Sequence, residues 1–222
     1  MTQLLSHPGF FIVTPTALEF TAVRKGLGNM LKEGNCQLMM CGVGEQQSSA
    51  FCRKLDQLAI ARLVLIGWSG GLTGDLGVGD AICADTALRD GQPPLACTLP
   101  PGGNYRTGPI LTAPKALLTP SEKQAAAASG ALAVEMEAYP LAAWANQRSI
   151  PFIHGRVILD TRDEALPDMG EGLDSSGKVH VGALLKLLAR RPALLQELAR
   201  LNHRVQMLNP ILGKLAADIV FF

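Results

Sequence analysis

The chain has 222 residues, and its 20 Lys+Arg against 19 Asp+Glu leave a formal charge of +1. That balance removes any electrostatic case for nucleic-acid binding, and 48% hydrophobic with 18% charged residues excludes a disordered polyelectrolyte. The length allows one large or two small domains and a sizeable core. Cys36, Cys41, Cys52, Cys83 and Cys97 form no CxxC pair and no Cys/His cluster at zinc spacing, so reduced thiols and a cytoplasmic setting are expected. The N-terminal stretch is apolar, but Pro8, Gly9 and Pro15 interrupt it and no Lys or Arg precedes Arg24. A signal peptide is therefore not expected, nor is a membrane-spanning helix, because no apolar run is long enough.

Strand-like and helix-like segments alternate. Phe10–Thr14 reads as a buried strand, Glu19–Leu31 as a helix, and Gln37–Cys41 as a second strand ending at Gly42-Val43-Gly44. Ala50, Phe51, Leu55, Leu58 and Ala59 lie near a 3.6-residue period, which predicts a helix. Leu63–Ile66 then reads as a strand covered on both faces. This is βαβ grammar with parallel strands. The glycine-rich segment Gly67–Asp80 predicts backbone held at positive φ or approached closely by a ligand. Ala81–Ala84 continues as a strand. Residues 91 to 109 carry five prolines and read as a long irregular loop. Ile110–Thr112 is a strand candidate, Ser121–Ser129 a helix, and Val134–Gln147 a helix-bearing stretch in which Pro140 is tolerable only in the first turn. Phe152–Leu159 is a clear strand ending at Asp160. A Gly-rich linker and two helices split by Pro192 follow. Leu194, Leu198, Leu201, Val205 and Leu208 form one stripe, expected to pack on the parent domain or a subunit, with a lipid contact as the sharper alternative.

Three acids stand out. Glu135 and Glu137 open the predicted helix, where the helix dipole alone would favour them. Asp160 sits beyond the carboxyl end of a strand, where ligands of open parallel sheets bind, although a capping role would also place it there. Glu19 is the first acid in the chain and suits a helix first turn. Gly42-x-Gly44 and Gly67-x-x-Gly70 do not complete a dinucleotide fingerprint, and no phosphate-binding GxxxxGK[ST] loop occurs. His154 lies inside an apolar strand and reads as a core histidine. Gly67-x-Ser69-x-Gly71 matches a serine-hydrolase elbow, but its only downstream His in a suitable loop is His180.

Four motifs in order carry a more specific signal: Ile66–Leu72, Leu76–Asp80, Val134-Glu135-Met136-Glu137-Ala138 and Arg156–Asp160. Together they resemble the nucleoside phosphorylase and nucleosidase superfamily, nearest its methylthioadenosine/adenosylhomocysteine nucleosidase branch. The Asp160–Pro167 segment, the Ser176-Gly177-Lys178 turn and the Leu-rich stretch through Arg190-Arg191-Pro192 look like the hopanoid-associated phosphorylase group. The resemblance implies a single α/β domain over residues 1–222, a three-layer sandwich with a twisted mixed sheet and a C-terminal helical appendage from about residue 179. It implies cleavage of the N-glycosidic bond of an adenine nucleoside, with the lipid-linked adenosylhopane as the most specific candidate. The rivals are a methylthioadenosine/adenosylhomocysteine nucleosidase and a non-catalytic nucleoside-binding protein. It also implies a homodimer and no metal or redox cofactor.

Carried over residue by residue, the resemblance makes Asp160 the acid at purine N7 and Glu19 the carboxylate that activates water. Glu137 would bind the ribose hydroxyls, Met136 would pack beneath the sugar, and Glu135 is the neighbouring acid. Trp68, Ser69 and Gly70 fall in the substrate-binding loop, with Trp68 standing where the family commonly has Ser or Thr. Asp160 has to hold a proton, which requires burial, while Glu137 has to stay ionised to accept two hydroxyls. The family's phosphorylases place Arg near the strand before this loop, whereas Leu63–Ile66 has none. Arg24, Arg106 or a neighbouring subunit's Arg are the remaining candidates, and water is preferred over phosphate as nucleophile.

Overall fold

The computed structural model describes residues 9–33, 36–168, 187 and 190–220. Its elements follow as β1 (Gly9–Thr14), α1 (Ala17–Leu27), a 3-10 turn (Gly28–Leu31), β2 (Cys36–Met40) and α2 (Glu45–Leu55). Then come β3 (Ile60–Gly71), β4 (Ala81–Leu88), β5 (Leu95–Ala96), β6 (Arg106–Thr112) and α3 (Pro120–Ala127). β7 (Ala133–Glu135), α4 (Ala138–Gln147), β8 (Phe152–Asp160) and α5 (Ala193–Val220) complete it.

β1 lies between β2 and β3, parallel to both, and β8 runs parallel to β3 on its other side. The start of β4 pairs antiparallel with β8, β6 is parallel to β4, and β7 is parallel to β6. β7 then returns antiparallel to the end of β3, Gly70 facing Val134. Strands β3, β8, β4, β6 and β7 thus close a ring inside a mixed sheet.

Alternation along the central strands builds the layers. Phe11, Val13, Leu63 and Leu65 face a core shared with Phe51 and Leu55 of α2 and Leu141 and Trp144 of α4. Ile12, Val64 and Ile66 face the other way, against Ala22 and Val23 of α1 and Leu212, Leu215 and Ile219 of α5. Two covered faces explain why these strands read as unbroken apolar runs. α1 and α5 cross closely at Gly26 and Gly213, where a Cβ on Gly26 would fall inside the Gly213 backbone. Of the α5 stripe, Leu194, Val205 and Leu208 are buried against the rest of the chain. Among the described residues no helix is long and apolar enough to cross a membrane, and all five cysteines are free thiols.

The structure corrects the sequence reading at four places. The strand expected over 63–66 runs from Ile60 to Gly71, because β1, β8 and then β7 supply partners along it. Within the glycine-rich segment only Gly79 is left-handed (φ +94°), so positive φ does not explain most of those glycines. The 91–109 loop contains β5, held to Thr86 and Ala87 of β4, and the start of β6, paired from Arg106 to Ile82. The 134–147 stretch divides into β7 and α4, with Pro140 in the first turn of α4. The helix expected before Pro192, together with Ser176-Gly177-Lys178 and His180, lies mostly or wholly outside the described residues.

Candidate active site

The carboxyl ends of β1, β3 and β8 and the N-termini of α1 and α4 surround a cavity of about 270 Å³. Glu19, Trp68, Ser69, Gly70, Glu135, Met136, Glu137 and Asp160 all line it, so the residues expected to act on or bind the nucleoside meet in one place. Ala116 and Leu117 form another part of the wall.

Arg156 is the hub. It projects from β8, is fully buried, and its Nη2 reaches both Glu135 and Glu137, the latter at 3.1 Å. Nη1 donates to the Trp68 carbonyl at 3.1 Å and Nε to His154 Nε2 at 2.8 Å. His154 must therefore be neutral at Nε2, and burial followed by the Arg156 charge holds its pKa well below the usual imidazole range. It is the core histidine expected, although among the described residues its Nδ1 has no hydrogen-bond partner. Glu135 ends β7 and accepts the backbone N–H groups of Glu137 and Ala138 at 2.8 and 2.9 Å, capping α4. Thr112 also donates to it, at 2.5 Å. Its proximity to a helix N-terminus is thus real, but the same carboxylate is the anchor of Arg156. Glu137 accepts from Gly44 N at 2.9 Å, and Gly44 can present that N–H because it sits at φ +84°. Burial, opposed by Arg156 and reinforced by Glu135, pushes the Glu137 carboxyl up to about 7.

Glu19 occupies the third position of α1 and forms a capping box with Thr16. One oxygen accepts from Thr16 N at 2.8 Å and Thr16 Oγ1 at 2.6 Å, and the other from Trp68 N at 2.8 Å. Burial raises its pKa, partly offset by Arg156 and these donors. A Cβ on Gly67 would stand 2.6 Å from Glu19 Oε1 and overlap Arg156, so glycine is required there by close approach. The Trp68 indole packs against the core beneath α1 and α5, so it walls the site without filling it.

Asp160, 2% exposed, closes β8 opposite Gly70. Its Oδ2 is bound by Lys123 of α3, itself fully buried. Burial raises the Asp160 pKa, and the hydrogen bond and charge of Lys123 oppose the rise. Sequence reasoning missed Lys123, Thr112 and Gly44. The first sits in the Thr119–Glu122 capping box region of an otherwise ordinary helix, and nothing local marks it as buried. Arg156 was part of a motif but carried no assigned role. Arg24 and Arg106 do not line the cavity, and Arg106 is paired with Asp75 at 2.7 Å. Among the described residues no cluster of three or more His, Cys, Asp or Glu is placed to hold a metal ion.

The arrangement can do acid–base chemistry on a neutral ligand. It gathers three buried carboxyl groups, Glu19, Glu137 and Asp160, each with its pKa raised by burial, in the wall of one cavity.

A family model described as the phosphorylase superfamily matches residues 95–188. No curated protein sequence matches the chain. Among solved structures, the 5′-methylthioadenosine/S-adenosylhomocysteine nucleosidase of Helicobacter pylori is similar with a TM-score of 0.69 at 12% identity, covering 96% of this chain and 98% of that one. The corresponding nucleosidase of Neisseria meningitidis gives 0.67 at 14% identity, over 96% and 98%. Futalosine hydrolase of Helicobacter pylori gives 0.65 at 12%, over 96% and 97%. The chain therefore has the nucleoside phosphorylase-like fold shared by these nucleosidases, a mixed sheet between helical layers.

Proposed function

We propose that this chain cleaves the N-glycosidic bond of an adenine nucleoside with water as nucleophile. The observation that carries the reading is the convergence of the buried Asp160, Glu137 and Glu19 on one cavity in a fold that resembles known nucleosidases. As the bond breaks, positive charge builds on the ribose and negative charge on the base. Asp160, biased by burial toward its protonated form, neutralises the base at N7, a proton transfer worth roughly 10²–10⁴-fold. Glu137 in its ionised form accepts the ribose hydroxyls. Glu19 orients water toward the anomeric carbon from the other side, a division of labour known for paired carboxylates in sugar chemistry.

The cations argue for water over phosphate. Arg156 is committed to Glu135, Glu137, Trp68 and His154, and Lys115 at the rim is exposed and paired with Glu122 at 2.8 Å. Among the described residues of the cavity wall a dianion would meet no uncommitted cation, which is costly. For the 5′ substituent, the Asp160–Pro167 resemblance favours adenosylhopane, and the apolar residues Pro15, Val43 and Leu166 in the cavity wall are compatible with a lipid group.

Adenine release from methylthioadenosine, adenosylhomocysteine, adenosine and adenosylhopane, each with and without phosphate, tests all of this. Release independent of phosphate and lost in Asp160→Asn, with ligand binding retained, is expected. Folded protein that binds adenine yet releases it from no nucleoside would replace this reading with a non-catalytic binding function.

A further inference from the structure

Lys123 is the most conspicuous buried charge that this mechanism leaves unused. It is fully buried on α3 and does not line the cavity. An ammonium group has three donors and no acceptor. All three are spent: one on Asp160 Oδ2, one on the Thr161 carbonyl at 2.8 Å and one on the Glu164 carbonyl at 2.7 Å. The same side chain therefore grips the carboxyl group and the two carbonyls of the turn that follows β8.

We propose that Lys123 is a positioning residue that fixes Asp160 so that its proton sits on Oδ1, the oxygen offered to the departing base. The inference rests on the reading of Asp160 as the acid at the base. With Nζ–H directed at Oδ2, a proton on that oxygen would face a donor that cannot accept it. Oδ2 is thereby held as the acceptor, and among the described residues no hydrogen bond engages Oδ1. During cleavage the proton passes from Oδ1 to purine N7, and the C1′–N9 electron pair leaves with the base. Asp160 becomes a carboxylate, and the charge that appears on it already faces the Lys123 ammonium. Lys123 gives up no proton and touches no substrate.

Among the described residues, three charged groups bear on Asp160. Lys123 reaches it from α3, Glu164 bears on it from the turn after β8, and Arg204 from α5. Arg204 is paired with Glu164 at 2.9 Å, so those two charges largely offset each other and Lys123 dominates. Removing a cation from beside a carboxyl group makes the carboxyl a weaker acid. The pH limb that reports loss of the Asp160 proton should therefore move to higher pH when Lys123 is neutralised.

The test is the pH profile of kcat for adenine release in wild type, Lys123→Met and Lys123→Gln, with folding checked by circular dichroism. The expected result is a kcat lower by about 10–100-fold, the scale of a misplaced catalytic group, with KM little changed. The descending limb should lie at higher pH in both variants. Gln, which keeps a donor for Oδ2, should lose less rate than Met. An unmoved limb in a folded variant, or kcat unchanged, overturns the proposal. Failure of both variants to fold also overturns it, since Lys123 would then belong to the scaffold. If wild type releases no adenine from any nucleoside, it is the reading of Asp160 that fails, which separates the two conclusions.

Discussion

Replacing Arg156 by Met removes the one cation around which three buried carboxylates are arranged. The guanidinium makes four sets of contacts, to Glu135, Glu137, the Trp68 carbonyl and His154 Nε2. Truncating one partner of a buried ion pair costs about 3–5 kcal/mol, because the other charge stays buried. Here each carboxylate keeps other donors: Thr112 and two backbone N–H groups for Glu135, Gly44 N for Glu137, and Thr16 with Trp68 N for Glu19. The cost should fall at the lower end, about 3 kcal/mol at neutral pH. For a chain of this size that corresponds to a Tm lower by roughly 6–12 °C. The sign of the pH dependence follows from the same geometry. Without Arg156 the carboxylates bind protons more tightly in the folded state than in the unfolded chain, so raising the pH destabilises the variant. Thermal unfolding of Arg156→Met and wild type near about pH 5 and about pH 8 should show the gap widening toward the higher pH. A Tm equal to wild type at both, or a gap that narrows as pH rises, would refute the account of Arg156 as the charge that holds the cluster together.

Two further outcomes follow from single contacts. Gly26→Ala drives a methyl group into the Gly213 backbone, and neither helix can yield there without separating α1 from α5. Urea titration should show a loss of about 3 kcal/mol, the upper range for overpacking, and an unchanged midpoint would contradict the crossing described. Binding of a non-cleavable adenine nucleoside should tighten as pH rises through about 7, because burial pushes Glu137 to that range and only its ionised form accepts both hydroxyls. Affinity that stays level across that interval, measured by calorimetry, would remove Glu137 from the ribose contact.

Much of the site was legible because its signals are local. Glu19 was read as a first-turn acid and lies there, Glu135 and Glu137 flank the turn into α4, and Asp160 ends the strand β8. Hydrophobic runs of β1, β3 and β8 announced a sheet covered on both faces. In the glycine-rich segment, read as held at positive φ or approached by a ligand, it is the chain's own Arg156 and Glu19 that crowd Gly67 and Asp160 that crowds Gly70, and only Gly79 has positive φ. Whether a glycine continues a strand depends on partners elsewhere, and β7 and β8 supplied them.

What the tertiary structure alone decided is the pairing of charges. Sequence spacing cannot say that Arg156 would meet Glu135, 21 residues earlier, or that Lys123 would reach Asp160 across 37 residues. Nothing near Lys123 in the chain distinguishes it from an exposed helix lysine. Its burial follows from the turn after β8 folding over α3. The sequence by itself marked the central strands and the helices, and the acids near their ends, because capping and periodicity act within a few residues; β5, β7 and the full length of β3 depended on partners elsewhere. The structure decided which cation each acid meets, because that depends on how distant strands pair around the closed ring.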